Sequence, residues 1–374
     1  MPPRLSQAFI RCPHCNLPHA VGLSVCPTTG KAIDRSSSRR LSEAPAQPSS
    51  SAPPAASTSS APPPSPDPAD RRGLVGTTID GKYAVRSVLG QGGMAIVYEA
   101  EQLVMGRAVA LKVLPSDQAD RQDAAKRFLQ EARAAASLSH PNVCQIFDFG
   151  ALPDGSPYFV MERLVGEPLS ERFARERGLA FLDAVEICLQ VLAALGSAHQ
   201  KAIIHRDIKP DNVFLVRRDP RPPLVKLLDF GVAKIVLPRG ETTDETTQLT
   251  RAGQVMGTPY YMAPEQAFGD RDLDPRVDLW ATGCILYQAI TGRKPFTAPS
   301  YAGIMNAILT EAPKPLRELR PGTPPELEPV IAKALAKQRD DRYPNAVAFM
   351  RDLHKMRVLL FKRGLVPEAM RRGK

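Results

Sequence analysis

The chain has 374 residues, room for roughly two domains on the usual scale of ~150 residues each, and a formal charge of +10 from 49 Lys/Arg against 39 Asp/Glu. The excess sits at the two ends: residues 1–75 carry 8 basic and 4 acidic residues and residues 351–374 carry 8 and 2, leaving 33 of each sign between them, which argues against a nucleic-acid surface on the body of the protein. Six scattered cysteines exclude a disulfide framework, the N-terminus lacks a secretory apolar core, and no apolar stretch reads as reaching the ~18–20 residues of a membrane span, so a soluble, cytoplasmic protein is expected.

Residues 9–30 form a small Cys/His module. Cys12-Pro13-His14-Cys15 has the spacing of a zinc knuckle, and Cys26-Pro27-Thr28-Thr29-Gly30 resembles a second knuckle lacking its last cysteine. Cys12, Cys15, His19 and Cys26 make a Cys₃His set for a structural Zn²⁺, with His14 the less favoured histidine because it sits between two ligands; without the metal so short a segment could not fold, and the alternative is free thiols on an unfolded arm. Few aromatics accompany it, so a protein partner is expected rather than nucleic acid. Residues 31–75 are rich in Ser, Pro and Ala and bury too little apolar surface to offset the ordering entropy, hence a disordered linker.

Residues 76–355 read as one α+β domain, strands first and helices later. Alternation and β-branched residues predict strands at Ala84–Leu89, Ile96–Glu101 and Ala108–Leu114, a helix over 119–138, and further strands at Val143–Phe149 and Tyr158–Arg163. Helical periodicity follows at Phe181–Gln200 and Val277–Thr291. Cys144, Cys188 and Cys284 fall in apolar runs and are expected as buried thiols. Residues 356–374 form a basic tail.

Gly90, Gln91, Gly92 and Gly93 lie between two predicted strands, where glycines let backbone N–H groups approach a phosphate. A strand follows rather than a helix, which disfavours a dinucleotide fingerprint. Lys112 closes an apolar strand; its desolvation requires a partner, and Glu131 on the following helix is the natural counter-ion. Further on, Asp207, Lys209 and Asn212 sit between two apolar runs, and Asp229 follows about 17 residues later in a similar setting. Asn212 and Asp229 offer the oxygen ligands that Mg²⁺ (or Mn²⁺) prefers, and Asp207 can take the proton of an attacking hydroxyl.

Together these segments resemble the signature set of protein kinases: the glycine loop, the lysine of Val109-Ala110-Leu111-Lys112, His205-Arg206-Asp207 with Asn212, Asp229-Phe230-Gly231, and Ala263-Pro264-Glu265. The resemblance is closest to bacterial Hanks-type Ser/Thr kinases. It implies a two-lobed fold, a small β-rich lobe over a larger helical one, with ATP between them. It further implies that Val97, Ala110 and Met161 line the nucleotide site, that the backbones of Glu162 and Leu164 meet adenine, that Asp278 braces the catalytic loop, and that Arg342 pairs with Glu265. Lys209 and Thr258 imply Ser/Thr rather than Tyr acceptors. Arg206 implies control by a phosphate on the activation segment, with autophosphorylation expected at Thr246, Thr247 or Thr250, in a dimer acting in trans. A scaffold with a dead site would lack one of Lys112, Asp207, Asn212 or Asp229, and all four are present.

Overall fold

The structure is a computed structural model that describes residues 9–11, 18–20, 69–92, 95–114, 133, 136–219, 221–229, 259–270 and 272–365. The chain divides into two units, 1–64 and 65–374. In the first, strands β1 (Phe9–Arg11) and β2 (Pro18–Ala20) pair antiparallel, with Ile10 opposite His19. Cys12, Cys15 and Cys26 lie outside the described residues.

The second unit opens with a six-stranded antiparallel sheet in the order β3-β4-β5-β6-β8-β7. Its strands are β3 (Thr78–Ile79), β4 (Tyr83–Gln91), β5 (Ile96–Gln102), β6 (Arg107–Val113), β7 (Ile146–Ala151) and β8 (Pro157–Glu162). Alternation sorts the side chains. Tyr98, Leu111 and Val160 are cross-strand partners and point into one buried cluster with Tyr83, Val85 and Tyr158. Three of these tyrosines deliver their hydroxyls to rim carboxylates, Tyr83 to Asp148 at 2.8 Å, Tyr98 to Asp70 at 3.0 Å, and Tyr158 to Asp80. Burial, then the neighbouring Asp148, pushes the Tyr83 phenol up to about 12.

Asp70 and Arg72, which composition alone assigned to the linker, are tied to this sheet. The Asp70 carboxylate accepts from the backbone N–H of Leu74 and Val75, and the Arg72 guanidinium donates to Leu114 O, Asp154 and Ser156 Oγ. Of the expected helix over 119–138, the described residues include only Arg133 and Ala136, both helical, and Ser137 and Leu138 beyond it.

Beyond β8 a second, three-stranded sheet runs in the order β11-β10-β9: β9 (Gly166–Pro168), β10 (Val213–Arg218) and β11 (Arg221–Leu227). The remainder is helical: α1 (Leu169–Arg175), α2 (Phe181–His199), α3 (Pro264–Phe268), α4 (Arg276–Thr291), α5 (Tyr301–Thr310), α6 (Leu316–Leu319), α7 (Leu327–Ala334) and α8 (Ala346–Lys362). Helix α2 corrects one expectation. At 19 residues it is long and apolar enough to cross a membrane by length and composition, because its few polar residues do not break the helix. Its apolar residues pack instead into the helical core with α4 and α8, and most of the helix is buried. Cys144, Cys188 and Cys284 are buried thiols, as expected.

The helical core is organised around Trp280, fully buried on α4. Phe296 stacks on it at 5.6 Å, and the Arg342 guanidinium and the Lys337 ammonium lie 4.8 and 5.3 Å from its ring. Arg342 holds Glu265 through two parallel hydrogen bonds of 2.7 and 2.8 Å, and its remaining donors reach Ala336 O and Lys337 O. The anticipated pairing of Arg342 with Glu265 is thus present, with every donor group of the arginine engaged. Truncating one partner strands a buried charge, so Arg342→Ala is expected to lower unfolding free energy by about 3–5 kcal/mol, measured by chemical denaturation; a loss below 1 kcal/mol would show the pair to be dispensable.

Candidate active site

The register of the first sheet brings together the residues expected to face a nucleotide. Val97 lies opposite both Gly90 and Lys112, and Ala110 opposite Met161. Cross-strand partners share a face, and Ala110 and Lys112 are two apart on one strand. Val97, Ala110, Lys112 and Met161 therefore line the face opposite the tyrosine cluster. Gly90 and Gln91 end β4, and Gly92 N–H closes the turn on Ala95 O at 2.9 Å. Gly93 lies outside the described residues. Met161 packs beside Ala95, Leu114 and Phe159.

Lys112 is largely buried, and its Nζ lies 2.6 Å from Asp229 Oδ1. The phosphate-contacting lysine and the metal-ligating carboxylate expected from sequence therefore meet directly. Glu131, the counter-ion expected for Lys112, lies outside the described residues, and Asp229 is the partner seen.

The catalytic loop is fixed from below by Asp278, a carboxylate with 1% exposure. Its Oδ2 accepts from His205 N at 2.9 Å and sits 2.8 Å from His199 Nε2, and its Oδ1 accepts from Arg206 N at 2.8 Å. Such hydrogen bonding makes a buried charge tolerable. His205, fully buried, has Nε2 3.0 Å from Leu228 O, a pure acceptor, so Nε2 carries the proton and Nδ1 accepts from Asp207 N at 3.3 Å. One imidazole thus joins the backbone of Asp207 to the residue before Asp229. Leu228 N–H also donates to Asn212 O at 2.9 Å.

On this frame Lys209 Nζ stands 2.9 Å from Asp207 Oδ2, and Asn212 Nδ2 lies 2.8 Å from Asp207 O and 3.2 Å from Asp207 Oδ2. The Asn212 amide nitrogen is thus committed to Asp207, and its oxygen remains to serve as a ligand. Arg206 and Asp229 have left-handed backbones (φ 63° and 44°), a strain that side chains other than glycine tolerate only where the surroundings impose it.

The comparisons with known proteins agree with this geometry. A protein kinase domain profile matches residues 83–354. The chain belongs to the protein kinase family. It is 44% identical over 281 residues to the serine/threonine-protein kinase pkn3 of Myxococcus xanthus, covering 75% of this chain and 50% of that one. It is 36% identical to the serine/threonine-protein kinase PrkC of Bacillus subtilis over 273 residues, 73% of this chain and 40% of that one. The chain therefore spans about half or less of the length of these curated relatives. Its fold is that of the Mycobacterium tuberculosis PknI kinase domain (TM-score 0.57, 27% identity, 75% of this chain and 98% of that one).

Within the kinase domain, Thr258, Thr246, Thr247 and Thr250 lie outside the described residues. Among the described residues no cluster of three or more His, Cys, Asp or Glu could hold a metal ion. The Asn212–Asp229 pair is a two-ligand, all-oxygen set, which suits a Mg²⁺ that takes its other ligands from phosphate and water. Sequence reasoning missed His199 as the third group at Asp278; its place as the last residue of an apolar helix looks like an ordinary helix end. Asp278→Asn would turn an amide N–H₂ toward a backbone N–H, and turnover is expected to fall at least ~100-fold through the misplaced Asp207, with far-UV circular dichroism unchanged; wild-type turnover would remove Asp278 from the site.

Proposed function

We propose that the chain is a serine/threonine protein kinase that moves the γ-phosphoryl group of ATP to Ser or Thr hydroxyls of protein substrates. The observation that carries this is that Lys112 meets Asp229 while Lys209 and Asn212 both meet Asp207, the two groups being tied together through Leu228 by Asn212 and His205. Asp207 accepts the proton of the acceptor hydroxyl as its oxygen attacks the γ-phosphorus, and the bond to the β,γ-bridging oxygen breaks to release ADP. Lys209, beside Asp207, neutralises the transferring group, and Lys112 holds the α- and β-phosphates. When bound, Mg²⁺ held by Asn212 and Asp229 supplies charge neutralisation of the phosphates. The face formed by Val97, Ala110 and Met161 accepts adenine, with the backbones of Glu162 and Leu164 beside it. The serine/threonine names of the relatives support the acceptor class.

Regulation through Arg206 has its own support. Burial holds the guanidinium below its usual range, and its buried Nε has no hydrogen-bond partner among the described residues. A desolvated arginine with an idle donor is suited to an anion. A phosphate on Thr246, Thr247 or Thr250 is the anion we assign to it.

A second reading concerns the N-terminal unit alone. The antiparallel pairing of Phe9–Arg11 with Pro18–Ala20 flanks Cys12 and Cys15 in sequence, and on that ground we assign a structural Zn²⁺ to Cys12, Cys15, His19 and Cys26. Metal analysis of the full chain should give about one zinc per chain, lost on Cys12→Ser.

The purified chain is expected to phosphorylate Ser/Thr peptides and itself, and Asp207→Asn to lose at least ~1,000-fold of that rate. Mass spectrometry should place phosphate on the 241–250 segment of wild type and none on the variant. Phosphate transfer by Asp207→Asn at the wild-type rate would refute the assignment.

A further inference from the structure

The segment joining the two sheets, residues 163–165, is anchored at both ends to the β10–β11 hairpin. At its far end Gly166 pairs with Val216 on β10, and Arg217 N–H donates to Val165 O at 2.9 Å, so a regular ladder fixes that end. At its near end stands Glu162, the last residue of β8. There the Glu162 carboxylate reaches Lys226 on β11, with Nζ 2.5 Å from Oε1. Lys226 is buried, and its Nζ also lies 3.3 Å from Val143 O. Glu162 further exchanges two hydrogen bonds with Gln145, donating its N–H to Gln145 O at 3.0 Å and accepting Gln145 N–H on Oε1 at 2.8 Å.

We infer that Lys226 is a positioning residue for the adenine-binding hinge: its ion pair with Glu162 fixes the near end of residues 163–165, and thereby the backbone that meets adenine. This rests on reading the cleft as an ATP site. Three observations lead to it. The far end is held by main-chain pairing that no side-chain change disturbs, whereas at the near end the Glu162 carboxylate is held by one buried cation and the Gln145 N–H. That cation is desolvated, so its pairing with Glu162 is strongly directional and few rearrangements could replace it. And Lys226 lies only three residues before Asp229 on the strand that leads to the metal-ligating position, so one hairpin sets the adenine end and the phosphate end of the cleft together. The Cys144 thiol beside them, pushed up first by burial and then by the charges of Glu162 and Asp229, senses both carboxylates at once.

The test uses the full chain with Lys226→Met, Lys226→Arg, Glu162→Gln and the double variant Lys226→Met/Glu162→Gln. Thermal melts confirm folding. Steady-state kinetics gives KM for ATP, KM for a Ser peptide and kcat, and fluorescence titration with N-methylanthraniloyl-ATP gives nucleotide affinity without turnover. Lys226→Met is expected to raise KM for ATP and the nucleotide Kd about tenfold, with kcat and peptide KM within about twofold of wild type. Lys226→Arg should restore both, and the double variant should be no worse than either single one. A folded Lys226→Met with unchanged KM and Kd, or with its loss confined to kcat, overturns the inference. A wild type that binds the analogue but transfers no phosphate refutes the kinase reading alone, and the Kd comparison still decides the role of Lys226.

Discussion

The active half of the molecule depends on one buried carboxylate. Asp278 sits on a core helix that is almost wholly buried, so its position is set by packing and not by the loop it serves. A lone charge there would be costly. It is tolerated because the backbone N–H groups of His205 and Arg206 and the ring of His199 all turn toward it. The dependence runs both ways: the loop satisfies the charge, and the charge forces successive backbone N–H groups to one side. A rigid helix is thereby converted into a fixed location for Asp207, two residues beyond His205.

Buried or half-buried ion pairs recur at the joints. Lys112–Asp229 joins the first sheet to the residues that follow β11, Glu162–Lys226 joins that sheet to the hairpin below, and Glu265–Arg342 joins α3 to the segment before α8. Such pairs add little net stability compared with apolar packing of the same volume, since desolvation offsets most of their attraction. What they supply is geometry, because a mispaired buried charge is worse than any well-packed alternative. This separates them from exposed pairs such as Arg86–Glu101, whose partners are about half exposed and whose loss would matter little.

Much of this was legible in the sequence, and the parts that were not share a cause. The strands at Tyr83–Gln91, Ile96–Gln102 and Arg107–Val113 match the expected ones to within two residues, because alternation is a local signal. The residues of the catalytic loop were legible because several chemistry-bearing side chains fall at fixed spacing within one short stretch. Short strands such as Gly166–Pro168 and Arg221–Leu227 escaped, since three residues show no period and two prolines in a row mask one. Asp70 and Arg72 escaped because composition averaged them with the Pro- and Ser-rich residues before them, although their contacts lie up to 84 residues away. Lys226 and His199 escaped for the same reason: what gives each its role is a partner 64 or 79 residues distant.

The strained backbones at Arg206 and Asp229 follow from these long-range contacts. A left-handed conformation at such residues costs about 1–3 kcal/mol and persists only if the surroundings over-determine it. At Arg206, Asp278 takes the N–H, and Gln266 donates to the carbonyl oxygen at 3.1 Å. Before Asp229, both main-chain groups of Leu228 are taken, the N–H by Asn212 O and the carbonyl by His205 Nε2. In both places the chain is gripped on either side of its peptide units and has no relaxed alternative. The turn at Arg206 sends the chain on to Asp207, and the turn at Asp229 swings its carboxylate to Lys112 and away from the direction of β11. The strain is thus local, while the groups that impose it are drawn from α4, α3 and the catalytic loop itself. Each of these contacts holds one turn, so a change in the buried polar frame acts first on the backbone that carries Asp207 or Asp229.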